Sequence, residues 1–279
     1  MPIGAHVGVA GGYASAVDYA VSVGCECIQV FAKSPRQWRA KPIEPSVASA
    51  FRERVEATGM AAVLVHTAYL INLGSADDAL WERSYTALAD ELVRAESLGA
   101  TAVVTHTGTE FAGAPGRTAA RIAEAVDRAW QLSDVERVRL LLENTAAAGT
   151  TFGDGPEELG SVLDLLDEAR DHVGVCLDTC HAHAAGYDLA QPAVWDALMR
   201  AFEECCGLPV EAIHANDCAF GVGMHKDRHA WIGDGTIGYE GFANLFAQRA
   251  LVGLPIVTEM PGEVPVKDAE NITRLKLLR

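Results

Sequence analysis

Eight short apolar runs punctuate the chain, and all but one end on a side chain that can bind a metal ion. IGAH ends on His6, AAVLVH on His66, TAVVTH on His106, VRLLLE on Glu143, VGVCLD on Asp178, VEAIH on His214 and LPIVTE on Glu259, whereas CIQVF ends on Phe31. Short Val/Ile/Leu runs read as buried strands. A polar group at the end of a buried strand is costly unless it has a partner. One such residue means little, but their recurrence in successive runs points to strands that converge on one site.

Helical patterns fill the gaps. In SVASAFRERVEATG, Ser46 is placed to cap, Val47, Phe51 and Val55 recur every fourth residue, and Gly59 stops the helix. SYTALADELVRAESLG repeats the arrangement with Leu88, Leu92 and Ala95, ending at Gly99. TAARIAEAVDRAW sets Ile122, Val126 and Ala129 on one face, QPAVWDALMRAF spaces Val194, Leu198 and Phe202 by four, and Pro156 opens PEELGSVLDLL. YASAVDYAVSVG ends at Gly24, just before the second strand.

Strand and helix alternate about eight times, which makes the strands parallel. In a chain of 279 residues this predicts a closed (β/α)8 TIM barrel forming a single domain over 1–279, with no linker. Active sites of such barrels lie at the C-terminal ends of the strands, where the His, Glu and Asp residues fall. The longer loops, 31–45, 66–78, 144–155 and 216–240, all follow strands and are expected on that face.

With 49 % of its residues hydrophobic, the chain can bury a sizeable core. The net charge of −16 argues at first against nucleic acid, since phosphate binding needs a basic face. Bound divalent cations would reverse that local field. The cysteines, at 25, 27, 176, 180, 205, 206 and 218, match no zinc-ribbon spacing and read as buried free thiols in a reducing compartment. No signal peptide or membrane span is visible, so a soluble cytoplasmic protein is expected. GVAGG (8–12) and IGDGTIG (232–238) lack the GK[ST] ending of a phosphate loop, and no nucleotide cofactor is expected.

The candidate ligands are His66, His106, Glu143, Asp178, His214 and Glu259 at strand ends, with His181 in DTCHAHAAGYD and Asp227 and His229 in KDRH, read as loops. Mixed imidazole and carboxylate donors suit zinc, manganese or iron. Nine donors exceed the needs of one ion, and bridging carboxylates allow two or three in one cleft.

At these residues the chain resembles the endonuclease IV family of apurinic/apyrimidinic (AP) endonucleases, a xylose-isomerase-like barrel also called AP endonuclease family 2. The matching stretches are GAHVGVAGG (4–12), FAKSPRQW (31–38), HTAYLINLGS (66–75), HTGT (106–109), LENTAAAGTTFG (142–153), DTCHAHAAGYD (178–188), HANDCAFGVGMHKDRHAWIGDGTIG (214–238) and TEMPG (258–262). The resemblance implies three Zn2+ ions, with Mn2+ or another divalent ion possible at some sites. One would rest on His66, His106 and Glu143, a second on Glu143, Asp178, His214 and Glu259, and a third on His181, Asp227 and His229. It further implies a monomer that binds double-stranded DNA containing abasic sites. The enzyme would hydrolyse the phosphodiester 5′ to the lesion, leaving a 3′-hydroxyl and a 5′-deoxyribose phosphate, and would trim blocked 3′ ends. Metal-activated water would attack phosphorus in line, with Glu143 and Glu259 as catalytic carboxylates. Lys33, Arg36, Gln37 and Tyr69 would contact DNA, and His6 would stand behind the ligands or face DNA. The chain departs from the family at Thr107, usually Pro, at His225-Lys226, usually Ser-Arg, and in EMPGE (259–263).

Two other readings compete. A sugar isomerase or epimerase also uses such a barrel with Glu143, Asp178, His214 and Glu259 on one ion, but needs neither the third ligand set nor a basic-aromatic loop. A non-catalytic binder of damaged DNA need not retain every ligand.

Overall fold

A parallel strand order that closes on itself follows from where the apolar runs fall. The computed structural model describes residues 1–207, 210–260 and 264–279; the end of TEMPG and the EMPGE departure lie partly outside them. In chain order the elements are β1 (Ile3–His6), α1 (Tyr13–Ser22), β2 (Cys27–Phe31), α2 (Pro45–Thr58), β3 (Val63–His66), α3 (Asp78–Leu98), β4 (Ala102–His106) and α4 (Pro115–Ser133). They continue with β5 (Arg139–Glu143), α5 (Pro156–Leu163), β6 (Val173–Asp178), α6 (Thr179–Ala185), α7 (Pro192–Cys206) and β7 (Val210–His214). The hairpin strands β8 (Asp217–Cys218) and β9 (His229–Ala230), α8 (Gly238–Ala247), β10 (Ile256–Thr258) and α9 (Pro265–Leu278) complete the fold.

The barrel runs β1-β10-β7-β6-β5-β4-β3-β2 and closes where β10 pairs with β1, Ile3 opposite Ile256. One buried cluster, including Cys27, Leu64, Val104, Leu141, Cys176 and Val257, fills the inside of the barrel, and a second lies between the strands and the helices. A Cβ on Gly4 would stand 1.9 Å from the Cys27 carbonyl oxygen, so β1 and β2 approach this closely only because position 4 lacks a side chain. The seven cysteines are free thiols, and all but Cys205 are buried. Among the described residues, no helix is long and apolar enough to cross a membrane.

The helices largely follow the predicted faces, with the following corrections. α2 starts at Pro45 with Glu44 at the cap position, so Ser46 lies inside the first turn and does not cap; proline at the first helical position costs no hydrogen bond, and the helix starts there. Val47 is exposed, and Ala48 joins Phe51 on the buried face. α3 begins at Asp78 rather than Ser84, because the Asp77 carboxylate accepts from Leu80 N at 2.9 Å and Trp81 adds a buried residue. Finally, His181 sits on α6 and His229 on β9, where loops were expected.

Candidate metal centre

Side chains alternate across a strand, so a residue two places beyond one inside the barrel also points inward. Two places beyond Leu64, Val104, Leu141, Cys176, Ala212 and Val257 stand His66, His106, Glu143, Asp178, His214 and Glu259. The polar strand ends are therefore the top layer of the barrel interior. All but His106 and Glu259 are buried, and those two are partly exposed.

Glu143 divides its carboxylate between two donor sets. Its Oε2 lies 3.2 Å from His66 Nε2 and 3.1 Å from His106 Nε2. Its Oε1 lies 3.0 Å from His214 Nδ1, which is itself 3.2 Å from Glu259 Oε2. The donor atoms of His66, His106 and Glu143 lie within 4.8 Å of one another, as do those of Glu143, Asp178, His214 and Glu259. A third set gathers around Asp227, with His181 Nε2 at 3.3 Å from its Oδ2 and His229 Nε2 at 3.3 Å from its Oδ1. Asp178 also comes within reach of His181 and His229, and the Cys180 thiol within reach of Asp227 and His229.

Second contacts set the imidazole tautomers. Carbonyl oxygens can only accept, so the Nδ1–H groups of His66, His181 and His229 donate to Thr67 O at 2.8 Å, Asn144 O at 2.9 Å and Glu259 O at 2.8 Å. Each Nε2 is then a bare lone pair in the neutral ring, facing carboxylate oxygens. Among the described residues, His229 Nε2 is buried with no partner in hydrogen-bond geometry, Asp227 Oδ1 being the carboxylate oxygen 3.3 Å away. The separations also fit a cation. A charge-assisted N–H···O contact is about 2.7–2.9 Å, while donors around a tetrahedral zinc, with bonds of about 2.0 Å, stand about 3.3 Å apart. Of the six contacts above, four stand at 3.2–3.3 Å, close to the second value, and those of Glu143 with His106 and His214, at 3.1 and 3.0 Å, lie between the two.

The electrostatics agree. Burial works against a charged Glu143, yet His214, His106 and His181 hold its carboxyl well below the usual range. Burial also opposes a proton on His229, but Asp227, Asp178 and Glu259 outweigh it and push the imidazole up to about 9. His181 is likewise raised against burial, by Asp178, Asp227 and Glu143. The carboxylates draw positive charge into the cleft, and a metal ion bound there would have to displace those protons.

A supporting layer, unread in the sequence, holds the candidate ligands. Asn144 accepts from Asp178 N at 2.7 Å, and Asn216 donates to Asp178 Oδ2 at 2.6 Å and accepts from Glu259 N at 2.7 Å. Asp178 Oδ1 also caps α6, accepting from His181 N at 2.7 Å. The fully buried Gln29 contacts His214, Glu259 and His6. The available signal was a polar residue inside the apolar run CIQVF, two places beyond Cys27. Asp217 absorbs the glycine-rich loop: its carboxylate accepts from the N–H groups of Gly233, Gly235 and Ile237 at 2.9, 3.0 and 3.0 Å. Those amides are committed within the protein, which accounts for the loop's only loose likeness to a phosphate cradle.

The loop residues divide. Arg36 and Gln37 are exposed, and Tyr69 is 64 % exposed with its ring 5.5 Å from Phe31 and 5.8 Å from His66. Lys33 does not join them. Its side chain is fully buried, with Nζ 2.8 Å from Asp90 and 3.5 Å from Glu91 on α3, so the expected DNA contact is corrected to an internal one. Glu91 also accepts from Ala68 N at 3.1 Å, so the pair ties the Lys33 loop to the Tyr69 loop. His6 stands behind the ligands, its Nδ1 3.5 Å from Glu259. His225 is in none of the donor sets among the described residues. Thr107, where proline was expected, donates its hydroxyl to Phe152 O and joins the loops after β4 and β5.

Comparison with known proteins follows the same lines. The profile of the xylose isomerase-like TIM barrel family matches residues 17–277. A probable endonuclease 4 from Methanoculleus marisnigri is 37 % identical over 277 residues, covering 99 % of this chain and 98 % of the relative. One from Chloroflexus aurantiacus is 38 % identical, covering 99 % and 97 %. The crystal structure of endonuclease IV from Thermus thermophilus superposes with a TM-score of 0.87 at 38 % identity, covering 100 % of this chain and 98 % of that one. A D-tagatose 3-epimerase-like protein, at 15 % identity and a TM-score of 0.75, shares the fold. With its candidate ligands gathered in one cleft and relatives matched over nearly their whole length, the chain belongs to the endonuclease IV family of xylose isomerase-like TIM barrels.

Proposed function

We propose that this chain is a zinc-dependent AP endonuclease of DNA repair, hydrolysing the phosphodiester 5′ to abasic sites in double-stranded DNA and trimming blocked 3′ ends. The observation that carries this reading is the division of Glu143: one oxygen serves the His66–His106 set, the other the His214–Glu259 set, with the His181–Asp227–His229 set in the same cleft. Divalent ions held there supply Lewis-acid activation of water and neutralise charge on the phosphodiester. The protein's part is positioning. Glu143 is fully buried and holds the two sets together, whereas the Glu259 side chain is 17 % exposed and is the carboxylate able to orient a water against a bound phosphodiester. Asp227, with 48 % of its side chain exposed, places the third set at the mouth of the cleft, where a leaving 3′ oxygen would emerge. Three divalent ions add about six positive charges, which makes the cleft attractive to DNA on a chain of net charge −16.

Tyr69 and Arg36 are the groups placed to enter a base step. Side chains wedged into the minor groove kink DNA, and an abasic nucleotide costs little to extrude. Tyr69→Ala is expected to weaken binding of abasic duplex about tenfold, the scale of one lost stacking contact of about 1–3 kcal/mol, while zinc content stays unchanged. Unaltered affinity in a titration would remove the wedge role.

The test of the whole reading is incision of a duplex carrying one abasic analogue. Cleavage 5′ to the analogue is expected, lost with chelator and restored by zinc, with an undamaged duplex left intact. Binding without cleavage by zinc-replete protein would overturn the reading, as would sugar epimerisation with one ion per chain.

A further inference from the structure

The strand that ends on an apolar residue contributes to the cleft one pleat lower. Gln29 lies on β2 directly opposite His6 of β1 in the barrel register, and it is fully buried. Its carboxamide makes three contacts, none of them to a ligand-facing atom. Gln29 Oε1 accepts from His214 Nε2 at 2.8 Å, and Gln29 Nε2 donates to Glu259 Oε1 at 2.7 Å and to His6 Nδ1 at 3.0 Å. An amide offers one acceptor and two N–H donors, and all are used here.

We propose that Gln29 is a positioning residue that presents His214 Nδ1 and Glu259 Oε2 to the metal ion they share. The proposal rests on the reading of this cleft as a metal centre. Because Gln29 Oε1 accepts a hydrogen bond from Nε2–H and so keeps the proton on that nitrogen, the neutral His214 ring has its lone pair on Nδ1, the atom 3.0 Å from Glu143 and 3.2 Å from Glu259. Because Gln29 Nε2 holds Glu259 Oε1, the other oxygen, Oε2, is left to face His214. No other uncharged side chain of this length accepts from an imidazole and donates to a carboxylate at once. Methionine of similar volume would do neither. Glutamate would still accept from His214 but would set a second carboxylate against Glu259. His6 completes the arrangement by accepting from the remaining amide N–H, with its ring against Phe31 at 4.3 Å.

Outer contacts of this kind typically change metal affinity by about 10–100-fold. The experiment measures zinc alone, by competition with a chromophoric chelator, on the full chain and on Gln29→Met and Gln29→Glu. The tightest-class zinc affinity is expected to fall about 10–100-fold in Gln29→Met and further in Gln29→Glu. At saturating zinc, kcat for incision should fall while KM for the abasic duplex stays constant, because Gln29 has no access to DNA. Circular dichroism melting of the metal-free chains establishes that each variant folds, and either variant alone suffices if the other does not. Wild-type protein that takes up no zinc would overturn the metal-centre reading and this proposal with it. Zinc bound equally well by wild type and a folded variant would overturn the role of Gln29 alone. A fall in both kcat and zinc affinity, with KM constant, supports it.

Discussion

Glu143→Ala should abolish incision while leaving the barrel folded. Among the described residues, this carboxylate is the group that touches both the His66–His106 set and the His214–Glu259 set. Without it each set loses an anionic donor, and nothing fixes the spacing between them. Lewis-acid stabilisation is worth several kcal/mol, and each step of about 1.4 kcal/mol is tenfold in rate, so a loss of about a thousandfold or more follows. The fold should survive because Glu143 belongs to neither apolar cluster. The inner layer below it, built on Leu141 and its neighbours, and the outer layer around Leu140 and Leu142 are untouched. Glu143→Gln should be nearly as inactive, since an amide keeps the shape but loses the charge and one of the two acceptor oxygens. Incision rate, zinc per chain and the far-ultraviolet spectrum together test this. Retained incision at normal zinc content would refute the bridging role.

The candidate ligands are legible in the sequence because a (β/α)8 barrel maps a one-dimensional pattern directly onto its site. Each strand is short, its interior positions recur every second residue, and its last residue sits on the functional face. His66, Glu143 and Asp178 therefore stand out as the final letters of apolar runs. The helix stops at Gly59 and Gly99 are equally plain, and both adopt left-handed φ, 66° and 70°.

What stays hidden depends on pairing between distant segments. Gln29 reads as an interruption of a strand until barrel closure places it beside His6, Glu259 and His214, the last of these 185 residues away. Lys33 reads as a cation in a basic loop because its partner, Asp90, is 57 residues further along. His181 reads as a loop residue because α6 has only 7 residues and little apolar periodicity. Its start is nonetheless coded by Asp178, which serves as helix cap through one oxygen and faces the candidate metal centre with the other. A residue with two structural roles gives one sequence signal, and the ligand reading absorbs it.

Asp217 carries the second large effect, through stability and then through one donor set. It is fully buried on β8, where it pairs with Ala230 while Cys218 pairs with His229. Its two oxygens accept from Cys218 N at 2.8 Å, Gly233 N at 2.9 Å, and Gly235 and Ile237 N at 3.0 Å, with Gly238 N at 3.3 Å. The turn is built around that carboxylate, since a Cβ on Gly235 would stand 2.4 Å from Asp217 Oδ1. Hydrogen bonds to a charged group contribute about 1.5–3 kcal/mol each, and water can replace the more exposed ones. Asp217→Ala should therefore destabilise the chain by about 3–5 kcal/mol. Asp217→Asn should recover little, because its NH2 would face amides that also donate. The loss should reach the site unevenly: β9 presents His229 through its pairing with β8, so the third donor set should loosen while the Glu143 sets, carried on barrel strands, persist. Urea unfolding with zinc stoichiometry reads both effects, and a folded Asp217→Ala chain that gives up one zinc before the other two is the expected result. Unchanged stability, or simultaneous loss of all the zinc from a folded barrel, would mean that the carboxylate does not organise the loop that carries His229.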